Sequence, residues 1–364
     1  MSLTPDQLAV RQGRLGASEV AAAIGVHPYR SPLALWAELT GRCVAPSPSG
    51  LGEAATWGTI LEPLLRSRLE ARLCEGNPSW HRATVAELAE ETYRGRVLAC
   101  DEAGQQVTIG HATYDWLLAT PDDLYLGADQ APVAGAEVKN RGARQAPRWG
   151  ETGTDLIPDE TLVQATVGMA CAGLERWYVA AYFGGYDFRV YAVAYDAELM
   201  SRITECAWDF LHRYVRPGVM PPVTSGDDST HATLAALFPR AGEVVATVTT
   251  ADELAAVDAY VEARSQRLAA DAAEADAAAR VKQAIGDRAG LRAPDGTVVR
   301  WLSVTSGPRV DYAGVAQTLV RNFAVPLPQY AEICATYSVQ PPAYRRLHVR
   351  ETTPKSPAQG ETPT

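Results

Sequence analysis

Two short segments carry side chains able to work together on a phosphate ester: Thr120-Pro121-Asp122-Asp123 and Glu137-Val138-Lys139. Residues i and i+2 of a strand project from one face, so Glu137 and Lys139 point together and Val138 points into the packed side. If residues 122–126 and 135–139 pair as a hairpin, Asp122 lies across from that face, and two carboxylates and an ammonium converge. Paired carboxylates with open coordination positions suit Mg²⁺, which takes oxygen ligands and keeps several waters. The backbone carbonyl of Val138 is a further candidate ligand. A second ion would complete a clamp on the attacking and leaving oxygens of a displacement at phosphorus. Mn²⁺ fits the same ligands. Lys139 would orient the attacking water or stabilise charge developing in the transition state. Pro-Asp-Asp is also an ordinary turn sequence, and a Glu137–Lys139 pair on a surface hairpin would be solvated.

The elements around these segments read as follows. Residues 1–50 hold two short helices. Ser18 is expected as the N-cap of Glu19–Ile24 with Gly25 as its stop, and Ser31-Pro32 starts a second helix that Gly41 closes. A longer helix is predicted from about Ala54 to Leu73, with Trp57, Ile60, Leu61, Leu64, Leu65 and Leu69 at helical spacing. Strands are expected at Tyr114–Ala119, Leu124–Leu126 and Gly135–Lys139. A helix around Thr161–Cys171 follows, then strands Trp177–Phe183 and Phe188–Tyr195 joined by a Gly184-Gly185-Tyr186 turn, then a helix over Glu198–Tyr214. This order predicts an α/β protein with a mixed sheet. Prolines, glycines and acids over 216–230 mark the expected edge of a core spanning 1–222. Beyond it, an appendage over 223–351 is expected to hold an Ala-rich helix capped by Thr250 and a hairpin at Pro294-Asp295-Gly296. The Pro/Thr/Ser-rich tail 352–364 is expected to be disordered.

With 364 residues and 47% hydrophobic composition, the chain can bury a sizeable core. No apolar run is long enough to span a membrane, and the N-terminus lacks the order of a signal peptide, so a cytoplasmic location is expected. Six scattered cysteines form no CxxC pair, which disfavours structural zinc and iron–sulfur clusters. The net charge of −10 runs against nucleic-acid binding. Phosphate contacts need only a local basic strip, however, and Lys139, Arg141, Arg144 and Arg148 form one in a stretch free of acids. Its place directly after Lys139 favours contact with a DNA backbone. His27 and His111 lie nearest the motifs and are not assigned to the metal, because hard Mg²⁺ prefers oxygen.

Further segments join the two motifs in a fixed order: Arg11, Gly16-Ala17-Ser18-Glu19-Val20, Ala23 through Pro32, Leu35-Trp36, Trp57 through Glu62-Pro63, Ala119 through Asp122, Glu137-Val138-Lys139, and Gln164 through Met169 with Ala172-Gly173. In this order and spacing the chain resembles the lambda-exonuclease-like YqaJ family of viral recombinases over about residues 8–222. The resemblance implies a restriction-endonuclease-like core, a mixed central sheet flanked by helices, with a helical C-terminal appendage. It implies Asp122 and Glu137 as metal ligands and Lys139 as the catalytic lysine. Glu62 would be an additional acid near the second metal, and Gln164 would lie beside the site. Arg11, Ser18 and Thr120 fall where such enzymes bind the 5′-phosphate of a DNA end. Two departures stay open at this level. Asp123 stands where many relatives have glycine and could compete for metal, and Arg14 is also close to Ser18.

The activity so implied is Mg²⁺-dependent exonucleolytic degradation of one strand of duplex DNA, 5′ to 3′, serving phage-type recombination by strand annealing. A single-strand annealing recombinase is the implied partner, and a homo-oligomeric ring around DNA would give processivity. Two rivals share the residues: a structure-specific or restriction-type endonuclease, and a non-catalytic DNA-binding phage protein that kept the fold.

Overall fold

The computed structural model describes residues 4–43, 51–88, 93, 96–100, 106–240 and 245–302, with isolated positions between 316 and 335. The expected disordered tail and Cys334 lie outside these residues. The chain divides into two compact units, Met1–Pro239 and Arg240–Thr364.

The first unit is built on a five-stranded mixed sheet. Its strands are β2 (His81–Arg82), β6 (Asp123–Leu126), β7 (Pro132–Arg141), β8 (Arg176–Phe183) and β9 (Asp187–Ala194), in that spatial order. Strand β7 pairs antiparallel with β6 and parallel with β8, while β8 and β9 form an antiparallel hairpin. Gly184 and Gly185 both have positive φ in its turn. The parallel β7–β8 pair requires a crossover, which α6 (Asp159–Ala172) supplies. A second sheet orders β1 (Leu15–Gly16), β5 (Leu117–Ala119), β4 (Val107–Gly110) and β3 (Val97–Cys100). The expected mixed α/β architecture is therefore present. Strand β5 is shorter than the expected Tyr114–Ala119: residues 114–117 form a turn, in which the Leu117 N–H donates to the Tyr114 carbonyl at 3.1 Å and the Tyr114 ring stacks on His111.

Helices cover both faces of the central sheet. From α4 (Leu51–Gly76), Leu65, Leu69 and Leu73 pack on Tyr125, Ala136, Val138 and Ala180. From α6, Ala165 and Met169 pack on Leu124, Trp177, Val179 and Ala181. Each such buried Leu contributes roughly 1.5–3 kcal/mol. Trp57, Ile60 and Leu64, expected on the buried stripe of α4, are exposed instead. They lie on a different side of α4 from Leu61, Leu65, Leu69 and Leu73, the residues turned to the sheet. On the opposite face, Gly135 of β7 and Gly168 of α6 both abut the Trp177 ring, and a Cβ on either would collide with it. That close approach fixes the distance from α6 to β7.

Helices α2 (Ala17–Ala23), α3 (Pro32–Leu39) and α7 (Ala197–Phe210) pack with α6 in a further cluster. The first unit runs past the expected edge at 222, because α8 (Asp228–Leu237) returns to α3: the Ser31 N–H donates to the Ser229 hydroxyl at 3.1 Å. In the second unit, α9 (Ala251–Ile285) opens with a capping box between Thr250 and Glu253. Strands β10 (Gly290–Arg292) and β11 (Val298–Arg300) form the expected hairpin, with Gly296 at φ 90°.

Candidate active site

Strand pairing brings the two motifs together. The β6–β7 register sets Asp123 opposite Ala136, and the Asp122 N–H extends that ladder by donating to the Ala136 carbonyl at 3.2 Å. The Asp122 carboxylate then turns to β7 and accepts the Val138 N–H at 2.7 Å. Glu137 and Lys139 share one face of β7, and the Lys139 ammonium donates to Glu137 Oε1 at 2.6 Å. From α6, Gln164 Oε1 accepts a second Lys139 hydrogen bond at 2.9 Å. Glu62, half-buried on α4, lies within electrostatic reach of Asp122.

These groups leave an imbalance of charge. Loss of water around Asp122 holds its carboxyl well above the usual carboxylate range, and the negative charge of Glu137 raises it further. Lys139 opposes this, Glu62 adds to it, and the Val138 hydrogen bond lowers it. One ammonium thus faces three carboxylates. A bound divalent cation would answer that repulsion, and the donor set is hard oxygen throughout, as Mg²⁺ or Mn²⁺ prefers. Among the described residues, no three His, Cys, Asp or Glu side chains stand close enough to cage an ion unaided. Mg²⁺ bound through one or two carboxylates, with waters and phosphate oxygens, needs no such cage.

The structure separates the two neighbouring aspartates. Asp123 turns away from Glu137 toward α4, where the Arg66 guanidinium binds it at 2.7 Å, and its side chain is 0% exposed. It is therefore an internal ion-pair partner and not a competitor for metal at this face. The two arginines separate as well. Arg11 Nη2 donates to the Thr120 hydroxyl at 3.0 Å, whereas Arg14 Nη1 is spent on the Val10 carbonyl. Arg11 also lies 3.6 Å from Glu19 and keeps a buried Nε–H with no partner, a donor left for an anion.

Ser18 is not the N-cap that the sequence suggested. The α2 helix starts earlier, and Gly16 occupies the cap position, where its N–H donates to the Glu19 carboxylate at 2.7 Å. A Cβ there would fall on the Arg11 guanidinium, so a larger residue would have to displace Arg11 from its present position. Ser18 is exposed in the first turn, close in sequence to this cluster, without a hydrogen bond to Arg11 or Thr120. Of the basic strip, Arg144 is exposed, Arg141 donates to the Asn140 carbonyl, and Arg148 pairs with Glu160 at 3.3 Å.

Gln106 and Thr108 escaped the sequence reading, which placed His27 near the motifs and Tyr29 within the Ala23–Pro32 segment but gave neither a part in the site. Gln106 donates to Asp122 Oδ1 at 3.3 Å, and the Thr108 hydroxyl lies 2.9 Å from that of Thr120. His27 stands near Lys139, Arg141 and Arg30; burial and these cations push its pKa down, against the pull of Glu160. Tyr29 accepts a hydrogen bond from Gln145 at 3.1 Å, which brings the loop before α3 beside the basic strip. The alternation Gln106-Val107-Thr108-Ile109 was a usable signal for the first two, since it sets both polar groups on one side of a strand. The only signal for His27 and Tyr29 was their place in the Ala23–Pro32 segment.

The chain was compared with known proteins. Residues 6–175 match the YqaJ-like viral recombinase domain. The uncharacterised protein YqaJ of Bacillus subtilis (strain 168) is 23% identical over 213 residues, covering 58% of this chain and 56% of that protein. The chain thus spans little more than half the length of this relative. Among solved structures, the alkaline exonuclease LHK-Exo of Laribacter hongkongensis aligns at 19% identity with a TM-score of 0.37, over 56% of this chain and 89% of its own. The same exonuclease in complex with dAMP aligns at 18% identity with a TM-score of 0.36, over the same shares of the two chains. Residues 6–175 are thus similar to the YqaJ-like viral recombinase domain.

Proposed function

We propose that this protein is a divalent-metal-dependent nuclease with a restriction-endonuclease-like core, degrading one strand of duplex DNA from its end in the 5′ to 3′ direction. The observation that carries this reading is the meeting of Asp122, Glu137 and Lys139 on the β6–β7 pair, joined by Gln164. Asp122 and Glu137 would hold Mg²⁺, with the Val138 carbonyl as a further ligand and Glu62 serving a second ion. Bound there, the metal supplies Lewis acidity toward the scissile phosphate and lowers the pKa of an attacking water. The Lys139 ammonium, fixed between Glu137 and Gln164, orients that water and stabilises charge on the phosphate oxygens. Gln106 and the Val138 N–H hold the Asp122 carboxylate in place. Arg141, Arg144 and Arg148 would track the DNA backbone.

Arg11 and Thr120, with Ser18 beside them, would receive the terminal 5′-phosphate, which a guanidinium and hydroxyls suit. Arg11→Ala is expected to slow digestion of 5′-phosphorylated ends about tenfold, the scale of one charge-assisted hydrogen bond. Ends bearing a 5′-hydroxyl should be digested nearly as before. A labelled-duplex time course on the two kinds of end checks this, and equal slowing on both defeats the phosphate assignment.

The similarity of residues 6–175 to a viral recombinase domain supports a role in phage-type recombination by strand annealing, with a single-strand annealing recombinase as partner and a homo-oligomeric ring as the working form. The deciding experiment presents linear and covalently closed circular duplexes with Mg²⁺. Degradation of the linear form alone is expected. Equal cutting of closed circles replaces the exonuclease with an endonuclease, and no cutting of either favours a DNA-binding protein without catalysis.

A further inference from the structure

We propose that Arg66 is a positioning residue: its buried pairing with Asp123 sets the distance between Glu62 and Asp122, and so the second divalent-cation position. The proposal rests on the nuclease reading above and concerns residues to which that reading gives no part.

Arg66 lies one helical turn after Glu62 on α4. Its Nε and Nη2 both donate to Asp123 Oδ1, at 3.0 and 2.7 Å. The two side chains are 1% and 0% exposed. Arg82 of β2 reaches the same oxygen at 3.7 Å and Glu70 of α4 at 3.3 Å, so the aspartate is held from two elements at once. Asp123 directly follows Asp122, and the two carboxylates leave the chain in different directions. Asp122 goes to the Val138 N–H, and Asp123 goes to α4. The turn that carries Asp122 is therefore anchored from behind by the helix that carries Glu62. Asp122 and Glu62 also lie within electrostatic reach of the Arg66 guanidinium.

Stability alone is a poor account of such a pair. Two ions taken out of water lose hydration that their attraction barely offsets, and apolar residues of similar volume often stabilise as well or better. The ion pair gives what apolar packing lacks, a fixed geometry. Two N–H groups of one rigid fork on a single oxygen set both the distance and the rotation of α4 against β6. Neighbours that orient the ligands of a metal typically govern about 10–100-fold in its affinity. The pair is also internally neutral, so removing both members leaves the net charge facing the metal unchanged.

The test uses the full chain with Arg66→Met and Asp123→Leu combined, titrated with MnCl₂ by calorimetry and melted without metal. Expected are a melting temperature at or above that of the wild type and a second Mn²⁺ equivalent bound about tenfold more weakly or lost. Arg66→Lys, which keeps the charge but not the fork, should weaken the same equivalent and carries the test if the pair variant does not fold. Mn²⁺ isotherms that superimpose on the wild type overturn the proposal and leave the nuclease reading standing. A wild-type protein that takes up no Mn²⁺ and degrades no DNA overturns both.

Discussion

Glu137→Ala is expected to lower metal-dependent DNA degradation by on the order of 10³-fold or more, while the protein stays folded and still binds duplex DNA. Glu137 lies on β7, between β6 and β8, and its backbone bonds do not depend on the side chain. Truncation removes a proposed metal ligand and one of the two acceptors that fix the Lys139 ammonium. Lys139 then hangs from Gln164 alone. The fold loses little, because the carboxylate contributes no apolar packing and its charge repels Asp122. Three measurements separate these effects: digestion of an end-labelled duplex with Mg²⁺, circular dichroism, and gel shift with Ca²⁺ in place of Mg²⁺. Cleavage at the wild-type rate would remove Glu137 from the mechanism.

The parts of the fold read correctly from sequence were those set by local periodicity. Glu137-Val138-Lys139 alternates on a strand, so the meeting of carboxylate and ammonium followed from strand geometry alone. The β8–β9 hairpin followed from its glycines, whose positive φ few other residues tolerate. Sequence pattern could not assign the two aspartates at 122 and 123, because their roles depend on what faces each of them. Arg66 arrives from α4, distant in the chain, and captures Asp123, while Val138 and Gln106 take Asp122. Ser18 misled for a related reason. Serine is a good N-cap in isolation, yet the helix begins at Ala17, with Gly16 at the cap packed close under the Arg11 guanidinium. Likewise Trp57, Ile60 and Leu64 have helical spacing, but spacing cannot tell which of two adjacent apolar stripes the sheet will cover, and it covers the one carrying Leu61, Leu65, Leu69 and Leu73.

Asp122→Asn is expected to abolish activity and at the same time raise the melting temperature of the metal-free protein. Asparagine is close to isosteric. Its carbonyl oxygen can still accept the Val138 N–H, and Gln106 need only turn its amide to offer an acceptor. The change removes a carboxyl that burial and Glu137 hold well above the usual carboxylate range. The sign of the pH dependence follows. A raised pKa means that the native state keeps the Asp122 proton at pH values where the unfolded chain, at about 3.9, has released it. The native state then binds more protons than the unfolded state, so stability falls as pH rises through that window and stays lower above it. Asp122→Asn should remove this component. Its advantage should therefore vanish near pH 4 and grow as pH rises above it, to about 1 kcal/mol or a few degrees. Added Mg²⁺ should reverse the order of the two melting temperatures, since only the wild type keeps both ligands. Thermal melts across pH, with and without Mg²⁺, check each part. A metal-free Asp122→Asn protein that melts below the wild type at neutral pH would show that Asp122 is held in place to stabilise the fold, and is not kept at a stability cost for its chemistry.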